Sequence, residues 1–285
     1  MVNLGLLISQ STLLELFFLV IIFLILYPFV FYPISLHIIS FFYPEYTVFD
    51  KSYKPFITLI ITAYNEEKVI LKKLNNICSL NYPKNKIDVI ICSDGSNDST
   101  ENIVNDFIKN TKLSDYSRFI LFNIYDKLGK TNAQNKAVKI AKGEILVFSD
   151  ANSMLEKNSI SNLVNFFSDL SVGYVSGRLT YSNVDENPIS SVEDKYWNFD
   201  IRIRNMESKI SSIVGGNGAI YAIRKKCYFE LPNLLSHDGF MPTKVFVNGF
   251  KAKFAQSSVA YEKVSNNVND EFKRKVRMQR GQPFK

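Results

Sequence analysis

A long, almost wholly apolar run at residues 13–42 constrains this chain more than any other part of its sequence. Residues 16–36 contain no charged side chain, and a helix needs about 20 apolar residues to cross the core of a bilayer. A cleavable signal peptide would have a basic start, a shorter apolar core and a small-residue cleavage site, none of which is found here. The run therefore predicts a single, uncleaved N-terminal transmembrane helix.

Two prolines and the distribution of charge refine this prediction. Pro28 and Pro33 are expected to kink the helix or to end it early, which would leave residues 29–42 along the membrane interface. Residues 1–50 contain no Lys or Arg, whereas several lysines follow at once. The positive-inside rule then places the rest of the chain in the cytoplasm. We expect a membrane anchor at 1–50 and a cytoplasmic domain at 51–285.

Composition excludes several classes of protein. With 46% hydrophobic and 14% aromatic residues, the chain is not intrinsically disordered. Its three cysteines, Cys78, Cys92 and Cys227, form neither a disulfide framework nor a zinc-binding pattern, and they fit a reducing compartment. The formal net charge of +7 suits phosphates, nucleic acid or an anionic membrane, and charge alone does not separate these partners.

Beyond residue 55 the sequence alternates between β-rich apolar runs and helical patterns. The predicted strands are 56–62, 87–92, 118–124, 144–148 and 172–181, with a glycine-rich turn leading into another strand at 215–224; the predicted helices are 66–80, 99–109 and 130–141. Short apolar strands that alternate with helices indicate an α/β fold on a parallel sheet. In such sheets ligands bind beyond the carboxyl ends of the strands.

Polar clusters follow three of these strands at the predicted binding edge. They are TAYNEE at 62–67, SDGSND at 93–98 and SDANS at 149–153. A dinucleotide-binding domain would carry G-x-G-x-x-G after its first strand, and a P-loop protein would carry G-x-x-x-x-G-K-[ST]. The sequence contains neither motif, and its glycines at 215–218 have a different spacing and position. The clusters therefore predict a polar ligand site of another kind.

Four ordered segments, ITAYNEE, CSDGSNDST, KLGKTNAQNKA and FSDANS, resemble the catalytic domain of family 2 glycosyltransferases. The resemblance covers residues 55–281. It implies the GT-A fold, a Rossmann-like mixed sheet flanked by helices, and an inverting transfer from a nucleotide-sugar donor. It also implies a nucleotide-sugar half at 51–155 and an acceptor half at 156–285 that ends in a basic helix.

The resemblance assigns the nucleobase and ribose to the first two polar clusters. The implied residues are Ala63, Tyr64, Glu66 or Glu67, and Asp94. The imide N–H of a base and the hydroxyls of a ribose are donors, and a carboxylate accepts from either. The resemblance thus implies a carboxylate-lined nucleoside site at the ends of the first two strands.

The resemblance assigns the diphosphate to two further segments. Lys130 would lie near the donor and balance phosphate charge. The D-x-D position of the family reads Asp150-Ala151-Asn152, so Asp150 and Asn152 are the implied ligands of a divalent cation, Mg²⁺ or Mn²⁺. A neutral amide replaces the second acid, and Asn152 as a turn residue beside Asp150 stays open as an alternative.

The second half resembles the acceptor side of the family. Gly216, Asn217 and Gly218 form a turn whose small residues would let the backbone approach a sugar. Trp197 would stack on a sugar, although a place at the membrane surface or in the core explains it equally well. The sequence therefore predicts an acceptor site that combines this turn with an aromatic surface.

The segment at 235–240, LSHDGF, matches the family's catalytic-base motif in its second acid, Asp238, whereas His237 replaces the first acid. An inverting transfer needs a base near the acceptor hydroxyl, so the resemblance assigns Asp238 that role. A helix N-cap is the alternative for Asp238. His237 would tune Asp238 or cap the turn.

The last motif matches only loosely. Residues 274–281 align with Q-x-x-R-W-x-x-G, with Arg277 and Gly281 in place and Arg274 and Met278 as replacements. Arg277 would reach the donor diphosphate as a planar fork. The departures leave processive synthesis in doubt, and the basic amphipathic stretch 270–279 equally fits a membrane surface.

These observations combine into one hypothesis and one rival. The hypothesis is a membrane-anchored glycosyltransferase that faces the cytoplasm, uses a UDP-linked sugar, and transfers it to a lipid-linked acceptor or a growing glycan. Nucleic acid is not an expected partner, and a partner membrane subunit stays open. The rival is a non-catalytic nucleotide-sugar-binding accessory subunit, which the departures at Asn152, His237 and Met278 keep open.

Overall fold

The computed structural model describes residues 4–44, 50–182 and 188–263, with the side chains of 4–11 and 188–197 outside that description. The chain divides into two compact units, Met1–Glu45 and Tyr46–Lys285. The larger unit contains all the motifs at which the sequence predicts a site.

The N-terminal unit is a continuous helical run. Helix α1 spans Leu4–Leu26, a π-helical turn spans Tyr27–Phe31, and helix α2 spans Tyr32–Phe41. Pro28 and Pro33 therefore do not end the helix; the backbone widens instead, and the Tyr32 N–H donates to the Tyr27 carbonyl oxygen. Among the described residues, Thr12–Phe41 is the one helical stretch long and apolar enough to cross a membrane.

The larger unit is built on one mixed sheet. In the described residues its strands are β1 Ile57–Ala63, β2 Ile87–Asp94, β3 Arg118–Ile124, β4 Ile145–Asp150, β5 Met154–Leu155, β6 Val172–Tyr181, β7 Tyr221–Arg224 and β8 Lys251–Glu262. They lie in the order β3-β2-β1-β4-β7-β6-β8-β5. Strands β1 to β4 are parallel, whereas β7 is antiparallel to both of its neighbours.

Helices cover both faces of this sheet. They are α3 Ile70–Cys78, α4 Thr100–Asn110, α5 Lys130–Ile140, α6 Ser159–Val164, α7 Pro188–Ile210 and α8 His237–Val247. Successive side chains of β1 enter two separate cores, with Leu59 and Ile61 in one and Ile60 in the other. Burial on both faces explains why the central strands read as unbroken apolar runs.

The structure confirms the mixed sheet flanked by helices and corrects two details. The first predicted helix, 66–80, begins only at Ile70, because residues 66–69 form a turn in which the Glu66 N–H donates to Thr100 Oγ1 at 2.8 Å. The sequence prediction omitted β5, β8, the short helix α6 and the 23-residue helix α7. Strand β8 reads KAKFAQSSVAYE, in which small and polar residues interrupt any alternation.

A buried carboxylate fastens the far end of the parallel strands. Asp88 is fully buried, and Arg118 donates to it through Nε at 2.6 Å and Nη2 at 2.7 Å. Thr58 Oγ1 and the Lys142 N–H also donate to Asp88, at 2.9 and 3.1 Å. Asp88 thus joins β1, β2, β3 and the segment after α5, opposite the binding edge.

We predict that Asp88→Asn lowers the free energy of unfolding by about 3 kcal/mol, because it leaves the Arg118 guanidinium without its charge partner. Thermal unfolding of the detergent-solubilised protein measures the change. The matched control is Glu230→Gln, which breaks a pair with Lys139 whose side chains are 59% and 62% exposed. Exposed pairs contribute at most about 1 kcal/mol, so equal losses in the two variants would contradict the prediction.

Candidate active site

The loops after β1 and β2 are bound to each other. The Asn65 N–H donates to Ser96 Oγ at 3.1 Å, with Asn65 in the left-handed region at a φ of 54°. The Glu67 N–H donates to Asp98 at 3.1 Å, and the Glu67 carboxylate accepts from the Ser99 N–H at 3.1 Å. One oxygen of Glu67 therefore holds the start of α4, and the two loops form one wall of the site.

The other predicted nucleoside residues of this wall differ in exposure. Ala63 is buried at the end of β1, Glu66 is half-buried, and the Tyr64 ring is 52% exposed. Ala63 pairs with Ser93 across the parallel strands, so it lies beside the end of β2. The Tyr64 ring is left accessible to a planar base.

Asp94 ends β2 and is only 8% exposed. Its Oδ2 accepts from the Gly129 N–H at 2.9 Å, and burial raises its pKa. Its Oδ1 is buried and has no hydrogen-bond partner among the described residues. A buried carboxylate oxygen without a donor matches a site for an N–H or O–H group of a ligand.

The centre of the site lies at Gly218, where three predicted residues converge. Lys130 Nζ is 2.5 Å from Asp150 Oδ1. A Cβ atom on Gly218 would lie 2.8 Å from Lys130 Nζ, 3.1 Å from Asp150 Oδ2 and 3.7 Å from Asp238 Oδ2. The structure thus brings together residues from the start of α5, the end of β4 and the start of α8.

These charges set the protonation of Lys130. The Lys130 side chain is 42% exposed, so the loss of water around its ammonium, which would lower the pKa, is only partial, and the nearby carboxylates of Asp150 and Asp238 outweigh it and raise the pKa. Lys130 therefore stays cationic between two carboxylates, and the site combines fixed charges of both signs.

Close packing explains the glycine-rich turn at residues 215–218. The Gly216 N–H donates to the Asp238 carbonyl oxygen at 2.7 Å, and a Cβ on Gly216 would lie 2.0 Å from the Tyr174 hydroxyl oxygen. Asn217 is buried, and its Nδ2 donates to the Gly177 carbonyl oxygen at 2.6 Å. The Asn217 side chain therefore holds the turn against β6, and the turn packs against the start of α8.

The three residues at the start of α8, Ser236, His237 and Asp238, have different environments. Ser236 is the N-cap, with its Oγ accepting from the Gly239 N–H at 3.3 Å, so the capping alternatives for Asp238 and His237 are wrong. His237 is 1% exposed, and burial, together with the charge of Lys130, lowers its pKa to about 3. His237 is therefore neutral near pH 7, whereas Asp238 is half-buried at the centre of the site.

His237 instead ties α8 to α5. Its Nε2 lies 3.1 Å from Asn135 Oδ1, which also accepts from the Tyr228 hydroxyl. Asn135 Nδ2 donates to the Leu231 carbonyl oxygen at 2.8 Å. The Phe148 ring meets the imidazole edge-on at 5.8 Å. This buried network fixes the position of the helix that carries Asp238 relative to the helix that begins at Lys130.

A buried lysine that the sequence analysis missed supports the segment with Asp150. Lys73 is fully buried; its Nζ donates to Ser149 Oγ at 2.8 Å and to the Ser153 carbonyl oxygen. Burial lowers the pKa of Lys73 to about 7, although the negative charges of Asp150 and Glu262 raise it in part. Its position three residues after Ile70, on the apolar face of α3, was the available signal.

Asp150 and Asn152, the two predicted metal ligands, do not by themselves complete the coordination of a cation. Asn152 is exposed, one residue beyond Ala151, and Asp150 is paired with Lys130. Within the described ranges no group of three or more His, Cys, Asp or Glu side chains is placed to hold a metal ion. Asp150 and Asn152 offer the oxygen donors that a hard cation prefers, and ligand oxygens would have to complete the set.

Two predicted residues are not placed by the structure. Arg277 and the predicted helix 270–279 lie outside the described residues. Trp197 lies within α7, but its side chain is outside the description. Their roles stay predictions.

Structural comparison defines the class of the protein. The mannosyltransferase PcManGT from Pyrobaculum calidifontis, solved with GDP-Man and Mn²⁺, matches with a TM-score of 0.71 and 24% identity, over 83% of this chain and 66% of its own. The Staphylococcus aureus TarS 1-349 structure matches with a TM-score of 0.54 and 17% identity, over 79% of this chain and 64% of its own. The chain has the GT-A glycosyltransferase fold.

Sequence comparison defines the family. The family described as Glycosyl transferase family 2 matches residues 58–229, more than half of the chain. The protein belongs to that family. A β-monoglucosyldiacylglycerol synthase from Trichormus variabilis is 28% identical over 58% of this chain and 35% of its own length. A poly-β-1,6-N-acetyl-D-glucosamine synthase from Staphylococcus aureus is 23% identical over 79% of this chain and 54% of its own.

The buried His237 predicts a pH dependence of stability. Its folded-state pKa of about 3 lies below the ordinary value of 6.5. The contribution of the neutral imidazole to the free energy of unfolding is therefore fully present above pH 6.5 and is lost as pH falls towards 3. We expect a loss of about 2 kcal/mol between pH 6.5 and 5, because the unfolded chain takes up the proton there.

The variant His237→Gln keeps a donor to Asn135 and removes the titration. Thermal unfolding of both proteins between pH 7 and 5 measures the difference in slope. A variant that lost stability with acid as steeply as the original protein would assign the dependence to other groups.

Proposed function

We propose that this protein is a glycosyltransferase that moves a sugar from a nucleoside diphosphate donor to an acceptor hydroxyl with inversion at the anomeric carbon. The observation that carries the proposal is the convergence of Lys130, Asp150 and Asp238 at Gly218. A cation for the phosphates and a carboxylate for the acceptor are the two charges that such a transfer needs. The same convergence favours an enzyme over a non-catalytic accessory subunit.

The proposed nucleotide is UDP. Asp94 Oδ1, buried and without a donor among the described side chains and backbone, would accept from the uracil imide N–H or a ribose hydroxyl. Tyr64 would cover the base, with Ala63 and Glu66 beside it, and Glu67 would act chiefly by holding the loop. Solved neighbours are complexes with GDP-Man, UDP-GlcNAc and UDP, which supports a nucleotide-sugar donor for this chain.

The proposed diphosphate position lies between Lys130 and the end of β4. Asp150 and Asn152 would hold a divalent cation, Mg²⁺ or Mn²⁺, which neutralises charge on the leaving diphosphate when bound. Lys130 places a fixed positive charge at the same position. Arg277 is proposed to add a planar guanidinium to the phosphates.

The proposed catalytic base is Asp238. Its carboxylate takes the proton of the acceptor hydroxyl as that oxygen forms a bond to the anomeric carbon. The bond between that carbon and the phosphate oxygen breaks in line, and its electron pair leaves with the nucleoside diphosphate. Gly218 keeps the space beside Lys130, Asp150 and Asp238 free of a side chain, and Trp197 is proposed to stack on the acceptor sugar.

The proposed acceptor is a lipid-linked or growing glycan at the cytoplasmic face of a membrane. Thr12–Phe41 has the length and apolarity of a membrane anchor, and lysines follow it. The relatives named above are named for a glucosyldiacylglycerol and for a polysaccharide product. A partner subunit with further membrane helices fits this proposal as well.

We predict that Asp94→Ala weakens UDP binding about tenfold to a hundredfold, which is the typical effect of losing one charge-assisted hydrogen bond. Calorimetry on the detergent-solubilised protein with UDP gives the affinity. Asp106→Ala removes an exposed carboxylate of α4 and serves as the control. Equal affinities in the two variants would place the nucleotide elsewhere.

The decisive test of the mechanism is Asp238→Asn, which keeps the side-chain shape and removes the base. We expect the initial rate of UDP release to fall about a hundredfold to ten-thousandfold, with UDP affinity nearly unchanged. The control is Ser236→Ala, which costs the helix cap about 1 kcal/mol and leaves the base in place. A near-normal rate in Asp238→Asn with an active donor and acceptor would refute the assignment.

A further inference from the structure

The outer side of α8 is apolar where a surface helix is normally polar. Phe240 is 50% exposed, Phe246 52% and Val247 76%. Val214, 63% exposed, lies beside them, because Thr243 Oγ1 donates to its carbonyl oxygen at 3.2 Å. We call these four residues the α8 apolar face. Single exposed apolar residues are common, but a patch of four is typical of a docking surface.

Helical spacing places this face opposite the catalytic side of α8. Phe240 and Val247 are seven residues apart and share one side of the helix. Met241 and Val245 are fully buried on the inner side, and the Asp238 carboxylate points towards Gly218. The outer side therefore has no part in the core or in the proposed chemistry.

Basic residues border the α8 apolar face. Lys244 is exposed on the same side of the helix, four residues after Phe240, and its Nζ lies 5.5 Å from the Phe229 ring centroid. Lys226 is exposed, and its Nζ lies 5.3 Å from the Phe250 ring centroid. Asp238 is the sole acidic residue of α8 and faces inward. Aromatic and aliphatic groups flanked by lysines match an anionic bilayer surface.

We propose that the α8 apolar face rests on an anionic lipid bilayer, with Phe240, Phe246, Val247 and Val214 in the boundary between headgroups and acyl chains. The inference rests on the membrane attachment included in the proposed function. A helix with its side chains is about 10 Å across, so Asp238 on the inner side would stand about 10 Å above that boundary. The headgroup region is about 5–8 Å thick on each side of a bilayer, so a sugar linked to a lipid headgroup would begin near that height.

The experiment measures contact with lipid at three single sites in the full chain. Cys78, the half-buried cysteine, is replaced by serine, and a fluorophore is attached to Phe246→Cys, Phe23→Cys or Leu71→Cys. Phe23 reports on the N-terminal helix, and Leu71, 50% exposed on α3, is the matched control. Vesicles contain phosphatidylcholine and phosphatidylglycerol, with or without lipids that carry a nitroxide quencher.

We expect the fluorophore at 246 to be quenched by nitroxide lipids several-fold more strongly than the one at 71. Lys226→Glu together with Lys244→Glu should reduce that quenching, and high salt should do the same. Val247→Cys repeats the measurement if Phe246→Cys folds poorly. Quenching at 246 that equals quenching at 71 would overturn the proposal, and shielding at 246 from aqueous iodide without lipid quenching would assign the face to a second protein copy instead.

The design separates this proposal from the proposed function. Quenching at 23 without quenching at 246 refutes the α8 contact alone and leaves the anchor intact. Quenching at both sites without any UDP release would support the α8 contact and count against the proposed transfer. Absence of quenching at 23 and 246 would remove both the anchor and the contact.

Discussion

The register of the parallel strands is the constraint on which the site depends. Ala63 of β1 lies opposite Ser93 of β2, and Thr62 lies opposite Asp150 of β4, so three strands end at nearly the same level. Residues far apart in sequence therefore share one edge of the sheet. A shift of one residue would turn the Asp150 side chain to the other face of the sheet, away from Lys130.

The second half of the larger unit places Asp238, the proposed base, in the site through packing against the first half. The resemblance places His237 at the position of the family's first acid, and in this structure His237 lies in the interior: neutral, edge-on to Phe148 and bound to Asn135. Asn135 belongs to the helix that begins with Lys130. In the sequence, His237 in place of an acid looks like the loss of a charged site residue. In the structure, His237 links α8 to α5, and Asp238 supplies the carboxylate of the site.

The sequence predicted correctly those strands and site residues whose structure depends on a single local segment. The central strands were predicted because burial on both faces makes them continuously apolar, and Asp94, Lys130 and Asp150 follow strand ends or begin a helix. Strand β8 escaped prediction because its residues are small and mixed in polarity. The contact of His237 with Asn135 and the outer side of α8 depend on a partner distant in sequence or on exposure, which no local pattern encodes. Lys73 had a local signal, its position on the apolar face of α3, but its partners Ser149 and Ser153 lie far along the chain.

The two-residue strand β5 has a consequence for the timing of folding during synthesis. It follows the Asp150 segment and pairs with β8, and Ser153 binds Glu262 across 109 residues of sequence. The segment that follows Asp150 cannot make these contacts until residue 262 has left the ribosome. Since long-range pairing is the slow part of folding, the proposed nucleotide site is completed late in synthesis, although most of its residues precede residue 151.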